Sequence, residues 1–241
     1  MKKVILFIIY CIQVNYLFAQ FTGQIPQTKK YKFQEVYDST YGINIYEKLN
    51  FGLGGDSIRN DKKGYACQGW VEDYYVSGKL LHKGYYEDGH LKIYKNYYEN
   101  GQIERMYKIS DLTRTNMQIF YSDGKLKSEV TYKNGSPEKW EDFYPNGQLE
   151  YIEEFHKSME YIIQRKSFTQ EGKPQSIMEL TDHKKKIYSK KEYYENGNLK
   201  EEGNMKFSPD TFDYVKDGKW KTYNDEGKKI SEEAYSNGQL D

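Results

Sequence analysis

The chain has 241 residues, a length that allows one or two domains. Its 36 Lys and Arg residues balance 36 Asp and Glu residues, so the overall charge argues against nucleic acid as a partner. Tyrosine is the outlier, with 26 residues in a chain that is otherwise polar. Because tyrosine suits a pleated, half-buried surface and disordered chains lack aromatics, this composition favours a thin β-sheet structure.

The first residues are typical of a signal peptide. Met1-Lys2-Lys3 precede an apolar stretch over residues 4–19 that is too short to be a membrane span. Cleavage is predicted near Ala19, so residues 1–19 are assigned to the signal peptide, and we expect an exported protein in the periplasm, at the cell surface or in the medium. Cleavage would leave Cys67 as the single cysteine, and the fold would then not depend on an intramolecular disulfide.

Residues 20–63 show only patchy apolar alternation and are predicted to be a lead-in that covers the first end of a repeat array. They contain the glycine-rich stretch Gly52-Leu53-Gly54-Gly55. No Gly-Lys-Ser/Thr follows it and no helical pattern begins after it, so the stretch indicates a flexible turn and not a phosphate-binding loop.

The segment Trp140 to Phe155 has the pattern of a β-hairpin around Asn146-Gly147, a dipeptide suited to turns that need positive φ. If these two residues form the whole loop, Tyr144 lies opposite Leu149. The alternation then places Trp140, Tyr144, Leu149, Tyr151 and Phe155 on one face. A three-residue loop with Gly147 in the left-handed region is the alternative, and it would shift this pairing.

The same turn signals recur from residue 64 to the end of the chain, which predicts a repeat array over residues 64–241. From Gly78 and again from Gly124 the turn glycines step by 11 and then 12 residues, so each unit has about 23 residues and two turns. The step shrinks to 9 residues between Gly218 and Gly227. An aromatic pair leads into many turns, and Leu or Ile leaves them. The predicted turns are Ser77-Gly78, Asp88-Gly89, Asn100-Gly101, Asp123-Gly124, Asn134-Gly135, Asn146-Gly147, Glu171-Gly172, Asn196-Gly197, Asp217-Gly218, Glu226-Gly227 and Asn237-Gly238.

These repeats resemble MORN-repeat variant proteins, bacterial proteins whose units read Trp-Lys-x-Tyr-Tyr-x-Asn-Gly-x-Leu. The best matches are the segments from Trp140 to Leu149, from Tyr193 to Leu199 and from Gly218 to Gly227. The resemblance implies an all-β fold, an elongated, twisted, single-layer antiparallel sheet of repeated β-hairpins. Some members are labelled antitoxins of toxin–antitoxin systems, and the wider group is linked to membrane lipids and scaffolding. The family implies no catalytic residues.

No constellation in the sequence predicts an enzyme, a cofactor or a metal site. The four histidines are scattered and none has metal-ligand spacing. The many carboxylates are better explained as solvated strand faces than as an acid–base pair. Lys184-Lys185-Lys186 with Lys190-Lys191 is a basic cluster that either attracts anionic surfaces or protects a sheet edge from aggregation.

The recurring aromatic residues are the candidate ligand-facing residues. If one sheet face is open, such a row would stack on sugars or hold an extended partner; the favoured interpretation is that the rings pack on one another. The candidates are Trp70, Tyr75, Tyr86, Tyr98, Tyr121, Tyr144, Tyr194, Trp220 and Tyr223.

The sequence therefore predicts an exported, non-enzymatic repeat protein that acts as a protein–protein interaction module or scaffold, with an antitoxin-like role as one form. The alternatives are binding of a glycan or cell-surface polymer through exposed aromatics, and peripheral binding to an anionic membrane.

Overall fold

The computed structural model describes residues 30–38, 43–44, 58–209, 211 and 213–241. The predicted signal peptide over residues 1–19 lies outside the described residues, and so does the glycine-rich stretch from Gly52 to Gly55.

The described chain is almost entirely β-structure, as its alternating aromatic pattern requires. One helical turn, α1 (Phe33–Val36), follows the first strand. The strands are β1 (Lys30–Tyr31), β2 (Tyr37–Asp38), β3 (Ile43–Asn44), β4 (Gly69–Tyr75), β5 (Leu80–Glu87), β6 (His90–Tyr97), β7 (Ile103–Ile109), β8 (Arg114–Phe120), β9 (Leu126–Lys133), β10 (Ser136–Phe143), β11 (Leu149–Phe155), β12 (Ile162–Phe168), β13 (Pro174–Asp182), β14 (Ile187–Tyr193), β15 (Leu199–Ser208), β16 (Asp213–Tyr223), β17 (Lys229–Ser236) and β18 (Gln239–Leu240).

Sixteen of these strands form one sheet in which β1 and then β4 to β18 follow one another in chain order. β1 and β18 end this order, so the sheet is open. β1 pairs with β4 in parallel, and the consecutive pairs from β4 to β7 and from β9 to β18 are antiparallel. β2 and β3 form a separate antiparallel pair. The all-β fold of repeated hairpins predicted from sequence is confirmed.

The chain divides into two compact units. Unit 1 comprises Met1–Ser110 with Ile119–Gly124, and unit 2 comprises Asp111–Gln118 with Lys125–Asp241.

The Trp140 to Phe155 hairpin turns through three residues, which confirms the alternative loop. The Tyr144 N–H donates to the Gln148 carbonyl at 2.9 Å, and the Gly147 N–H donates to the Tyr144 carbonyl at 2.8 Å. Gly147 has φ of 87°, the left-handed conformation in which glycine has no Cβ to clash. Pairing of Tyr144 with Leu149 was the wrong alternative, because Phe143 lies opposite Leu149 and a register shift precedes it.

We call this geometry a bulged turn, and the same pair of hydrogen bonds recurs where Tyr75, Tyr98, Tyr194 or Asn224 begins the turn. The turns at Asp88-Gly89, Asn134-Gly135 and Asn237-Gly238 are different. They have two residues, and both residues have positive φ.

The predicted turn at Asp217-Gly218 is wrong. Both residues lie inside β16, where the register with β15 shifts between Glu202 and Asn204. Gly218 has φ of 76°, so the glycine marks an irregularity within a strand and not a change of direction. This explains why the glycine spacing contracts before Gly227.

Successive residues of a strand alternate between the two faces of the sheet, and we name the faces by their members. In β4, face A carries Val71, Asp73 and Tyr75, and face B carries Trp70, Glu72 and Tyr74. The faces of β10 follow from distance to the turn glycine, because Trp140 is as far from Gly147 as Val71 is from Gly78. Trp140 and Asp142 therefore lie on face A, and Glu141 and Phe143 lie on face B.

The lead-in covers face A of unit 1. Tyr31 and Val36 pack against Tyr75 and Leu81 in one buried cluster. Cys67 packs against Val71 and Tyr86 in a second cluster, with Leu91 alongside. In unit 2 the buried cluster consists of Ile162, Met178 and Tyr188, with the half-buried Phe155, Leu180, Met205 and Tyr214 packed against it.

Candidate functional site

The tyrosines that begin bulged turns use their hydroxyls to connect neighbouring turns. The Tyr144 hydroxyl donates to the Phe168 carbonyl at 2.9 Å, and Asn146 Nδ2 donates to the Gln170 carbonyl at 2.7 Å. The equivalent tyrosine bonds run from Tyr75 to Tyr97, from Tyr98 to Phe120 and from Tyr194 to Tyr223. Each bond satisfies a backbone carbonyl of the next repeat, so these side chains hold the turns in register.

The nine candidate aromatics do not form one surface. Tyr75, Tyr86 and Trp220 are buried, with 1%, 0% and 3% of their surface exposed. Trp70 is 43% exposed but lies on face B, opposite Tyr75. The remaining five are half-buried, namely Tyr98, Tyr121, Tyr144, Tyr194 and Tyr223.

A row of polar side chains crosses face A of unit 1. Asp73 lies opposite His82, His82 opposite Asn96, and Asn96 opposite Arg105, so four consecutive strands each contribute one member. All four are buried. Arg59 of the lead-in binds Asp73 through two hydrogen bonds, from Nη1 at 2.6 Å and from Nη2 at 2.8 Å.

His82 lies at the centre of this row and is neutral. Its Nδ1 is 2.6 Å from Asn96 Oδ1, and its Nε2 is 3.1 Å from the Tyr86 hydroxyl. With this amide orientation Nδ1 carries the proton and Nε2 accepts from tyrosine. Burial lowers the pKa of His82 well below 6.5, and the nearby Arg59 charge lowers it further. The imidazole is inaccessible to solvent, so its arrangement stabilises the covered face and offers no exposed base.

Sequence reasoning missed this row, although a positional signal exists. Asp73 and Asn96 each lie five residues before a bulged-turn glycine, and His82 and Arg105 each lie four residues after one. These offsets place all four on one face once the turn type is known. Asp142 lies five residues before Gly147 and therefore repeats the position of Asp73 in unit 2.

Face A of unit 2 is exposed at Trp140, where the equivalent position of unit 1 is covered. Trp140 occupies the position of Val71, yet 41% of its surface is exposed against 1% for valine. Asp142 is half-buried where Asp73 is fully buried. The indole Nε1 of Trp140 donates to Asp142 Oδ1 at 2.8 Å, which fixes the ring beside the carboxylate.

The charged groups around Trp140 are mostly paired. Glu153 lies opposite Trp140 in β11 and accepts from Arg165 Nε at 2.5 Å and from the Tyr151 hydroxyl at 3.1 Å. Burial and the Glu153 charge raise the pKa of Tyr151, so this hydroxyl keeps its proton. Trp140 and Asp142 therefore form an exposed notch, with a Glu153–Arg165 ion pair on one side; we call it the Trp140–Asp142 notch.

Face B carries an apolar stripe beside the bulged turns of each unit. At four bulged turns the aromatic residue just before the turn pairs with the aliphatic residue that leaves it, and both are half-buried. These pairs are Tyr74 with Leu80 and Tyr97 with Ile103 in unit 1, and Phe143 with Leu149 and Tyr193 with Leu199 in unit 2. The stripe stabilises the turns, and charged pairs such as Lys83–Glu72 also lie on that face.

The described residues contain no group of three His, Cys, Asp or Glu side chains arranged to hold a metal ion. His156 stacks on Tyr161 with ring centroids 4.7 Å apart, far in sequence from His82. No helix in the described part of the chain has the length and apolarity needed to span a membrane.

An open sheet of antiparallel hairpins whose turns recur every two strands defines a β-repeat protein. Five segments match the family model described as MORN repeat variant, over residues 92–108, 116–134, 139–157, 190–206 and 216–237. The chain is therefore a MORN-variant repeat protein over this region, and the resemblance inferred from sequence is confirmed. The Trp140–Asp142 notch lies within the third matched segment.

No curated protein matches the chain. Among solved structures it has a likeness to "Crystal Structure of TarM", with 11% identity, a TM-score of 0.24 and coverage of 61% of this chain and 21% of that one. A mutant of S. aureus TarM in complex with Fondaparinux, alpha-GlcNAc-glycerol and UDP gives 10% identity, a TM-score of 0.24 and coverage of 52% and 19%. The chain thus spans about one fifth of the length of these proteins.

Proposed function

We propose that this chain is an exported, non-enzymatic binding protein that engages another protein through face A of unit 2. MORN repeats suggest a repeat-based binding or scaffold module. The finer assignment is supported by one observation. The same face is covered by polypeptide in unit 1 and carries an exposed tryptophan in unit 2.

The absence of catalysis is part of the proposal. The polar row of unit 1 contains aspartate and histidine, but both are buried and the pKa of His82 is lowered by burial. A general base must reach the proton that it abstracts, and this imidazole is already bonded to Asn96 and Tyr86. Turnover of any substrate that one point substitution abolishes would contradict this part of the proposal.

Export rests on the N-terminal sequence pattern. Fractionation of the producing cell tests it, because a chain that stays in the cytoplasm with its first 19 residues intact contradicts export. An antitoxin-like role is a narrower form of the same binding function, supported by labels on some members of the family. Growth rescue on co-expression with a neighbouring toxin gene would be required to support it.

Site-specific photocrosslinking tests the binding function. A photoreactive amino acid replaces Trp140 in the full chain, and the matched control replaces Trp70, which has similar exposure but lies on face B of unit 1. We expect a discrete protein adduct in envelope or medium fractions from the Trp140 position and none from the Trp70 position. The absence of a reproducible adduct, or the same adducts from both positions, would refute the proposal.

Glycan binding is the second candidate, and one observation favours it. The exposed Trp140 indole is held by Asp142 next to polar groups, an arrangement that suits a sugar ring stacked on the aromatic face. Intrinsic fluorescence is the test. Emission that does not change across a panel of surface polysaccharides would remove this candidate.

Membrane binding through the lysine cluster has less support. Lys186 lies over the Tyr161 ring at 3.2 Å, and Lys190 is 3.3 Å from Glu192, so two of the five charges are engaged within the chain. Failure to co-sediment with anionic vesicles at low salt, where screening is weakest, would eliminate it.

A further inference from the structure

We infer that the Trp140–Asp142 notch is a receptor for an arginine side chain on an extended segment of the partner protein. This inference rests on the proposed function and specifies the chemistry of the partner. Its basis is an internal precedent, because unit 1 already fills the equivalent position with an arginine.

The precedent is the contact between Arg59 and Asp73. The guanidinium donates to both carboxylate oxygens, at 2.6 and 2.8 Å, and the two side chains are only 6% and 0% exposed. Arg59 also lies over the Tyr86 ring at 5.7 Å. The backbone of Arg59 is fixed independently, since its N–H donates to Gly89 and its carbonyl accepts from Cys67. An extended segment therefore presents arginine to a face A aspartate beside an aromatic ring.

Unit 2 repeats the two groups that contact the arginine, a face A aspartate and an adjacent aromatic ring. Asp142 stands at the same distance from its turn glycine as Asp73 does, and the adjacent aromatic ring is supplied by Trp140. Trp140 Nε1 occupies one lone pair of Oδ1, which leaves the remaining lone pairs of the carboxylate for a second donor. Within the described residues no cation pairs with Asp142, whereas the nearby Arg165 is already bonded to Glu153.

Arginine fits this notch better than lysine or a sugar hydroxyl. A guanidinium donates two parallel hydrogen bonds to a carboxylate and stacks on an aromatic face at the same time, while an ammonium is a compact, strongly hydrated charge. Tryptophan is the aromatic side chain that attracts a cation most strongly. The carboxylate and the indole are adjacent on one face, so a single guanidinium reaches both.

The test uses the full chain labelled with ¹⁵N and a blocked tetrapeptide, acetyl-Ser-Ile-Arg-Asn-amide, which copies the sequence around Arg59. The chain has three tryptophans, so three indole N–H resonances report separately on the notch, on face B at Trp70 and on the buried Trp220. We expect a saturable shift of the Trp140 resonance alone. Replacing arginine by lysine in the peptide should weaken binding at least about fivefold.

The Asp142→Asn variant keeps an oxygen for the Trp140 indole and removes the charge, so it should weaken peptide binding at least about tenfold. Glu141→Gln is the matched control, since it removes a neighbouring charge on face B and should leave binding unchanged. Absence of a saturable shift, an equal response to the lysine peptide, an equal shift at Trp70, or full binding by Asp142→Asn would each overturn the inference.

The photocrosslinking experiment distinguishes failure of the arginine-receptor inference from failure of the proposed binding function. An adduct that forms at the Trp140 position and persists unchanged when Asp142→Asn is added retains the binding function but refutes the arginine receptor. Loss of that adduct in the same variant supports the receptor. Absence of any adduct in the parent chain refutes the binding function itself.

Discussion

Replacing Asp73 by asparagine is expected to destabilise unit 1 strongly. The side chain is fully buried, and Arg59, with 6% exposure, donates to both of its oxygens. Asparagine keeps one acceptor and adds an NH₂ group that faces the guanidinium. A buried cation would then remain without its counter-charge.

The expected cost follows from that burial. Removing one partner of a buried ion pair typically costs about 3–5 kcal/mol, since the remaining charge stays desolvated. Glu72→Gln is the matched control on the adjacent residue. Glu72 pairs with Lys83 at 2.7 Å, but the two side chains are 24% and 45% exposed, so that loss should be below about 1 kcal/mol.

Urea unfolding followed by circular dichroism measures both costs, and hydrogen exchange locates them. In a repeat array each unit contacts only its neighbours, so faster exchange should concentrate in β4 to β7 and spare β13 to β16. A cost for Asp73→Asn no larger than that for Glu72→Gln would show that the buried contact contributes little. Adding Arg59→Met to Asp73→Asn should recover part of the loss, because the orphaned charge is then removed as well.

Three further changes test other parts of the structure. Because the pKa of His82 is lowered in the fold, the unfolded chain binds a proton first as the pH falls. Stability should therefore be constant well above about pH 6.5 and decrease below it, with a slope that approaches about 1.4 kcal/mol per pH unit. His82→Gln should abolish that slope in urea unfolding, and a slope that persists would contradict the assignment. Tyr144→Phe removes the hydroxyl bond to the next turn and should cost about 1 kcal/mol, against no change for the exposed Tyr65→Phe. Gly203→Ala would place a Cβ in steric overlap with the Trp220 ring and should cost about 1–3 kcal/mol with a red shift in tryptophan emission; unchanged emission would refute the contact.

The repeat grid was predictable because turns impose local requirements. Asn-Gly and Asp-Gly supply positive φ at many of the strand reversals, and aromatic alternation defines the strands between them. The Asn-Gly dipeptide alone does not determine the type of turn. Asn134-Gly135 forms a two-residue turn with positive φ at both positions, whereas Asn146-Gly147 ends a bulged turn in which glycine alone has positive φ.

The position of Trp70 follows from counting once the turn is known. Trp70 lies eight residues before Gly78, whereas Trp140 lies seven residues before Gly147. Faces alternate along a strand, so an odd difference in offset puts the two rings on opposite faces. The count requires the turn type, because a two-residue turn in place of a bulged turn changes the register and so the face assigned to each ring.

The different burial of Trp140 and Trp220 was beyond prediction from either residue alone. Both lie seven residues before a bulged-turn glycine, yet Trp140 is 41% exposed and Trp220 is 3% exposed. The cause is the neighbouring strand, which presents Val130 opposite Trp140 but Gly203 beneath Trp220. Glycine lets the indole lie flat and donate from Nε1 to the Asn204 carbonyl at 2.8 Å. A valine Cβ at the equivalent place holds the Trp140 ring away from the sheet, and the notch exists because that glycine is missing there.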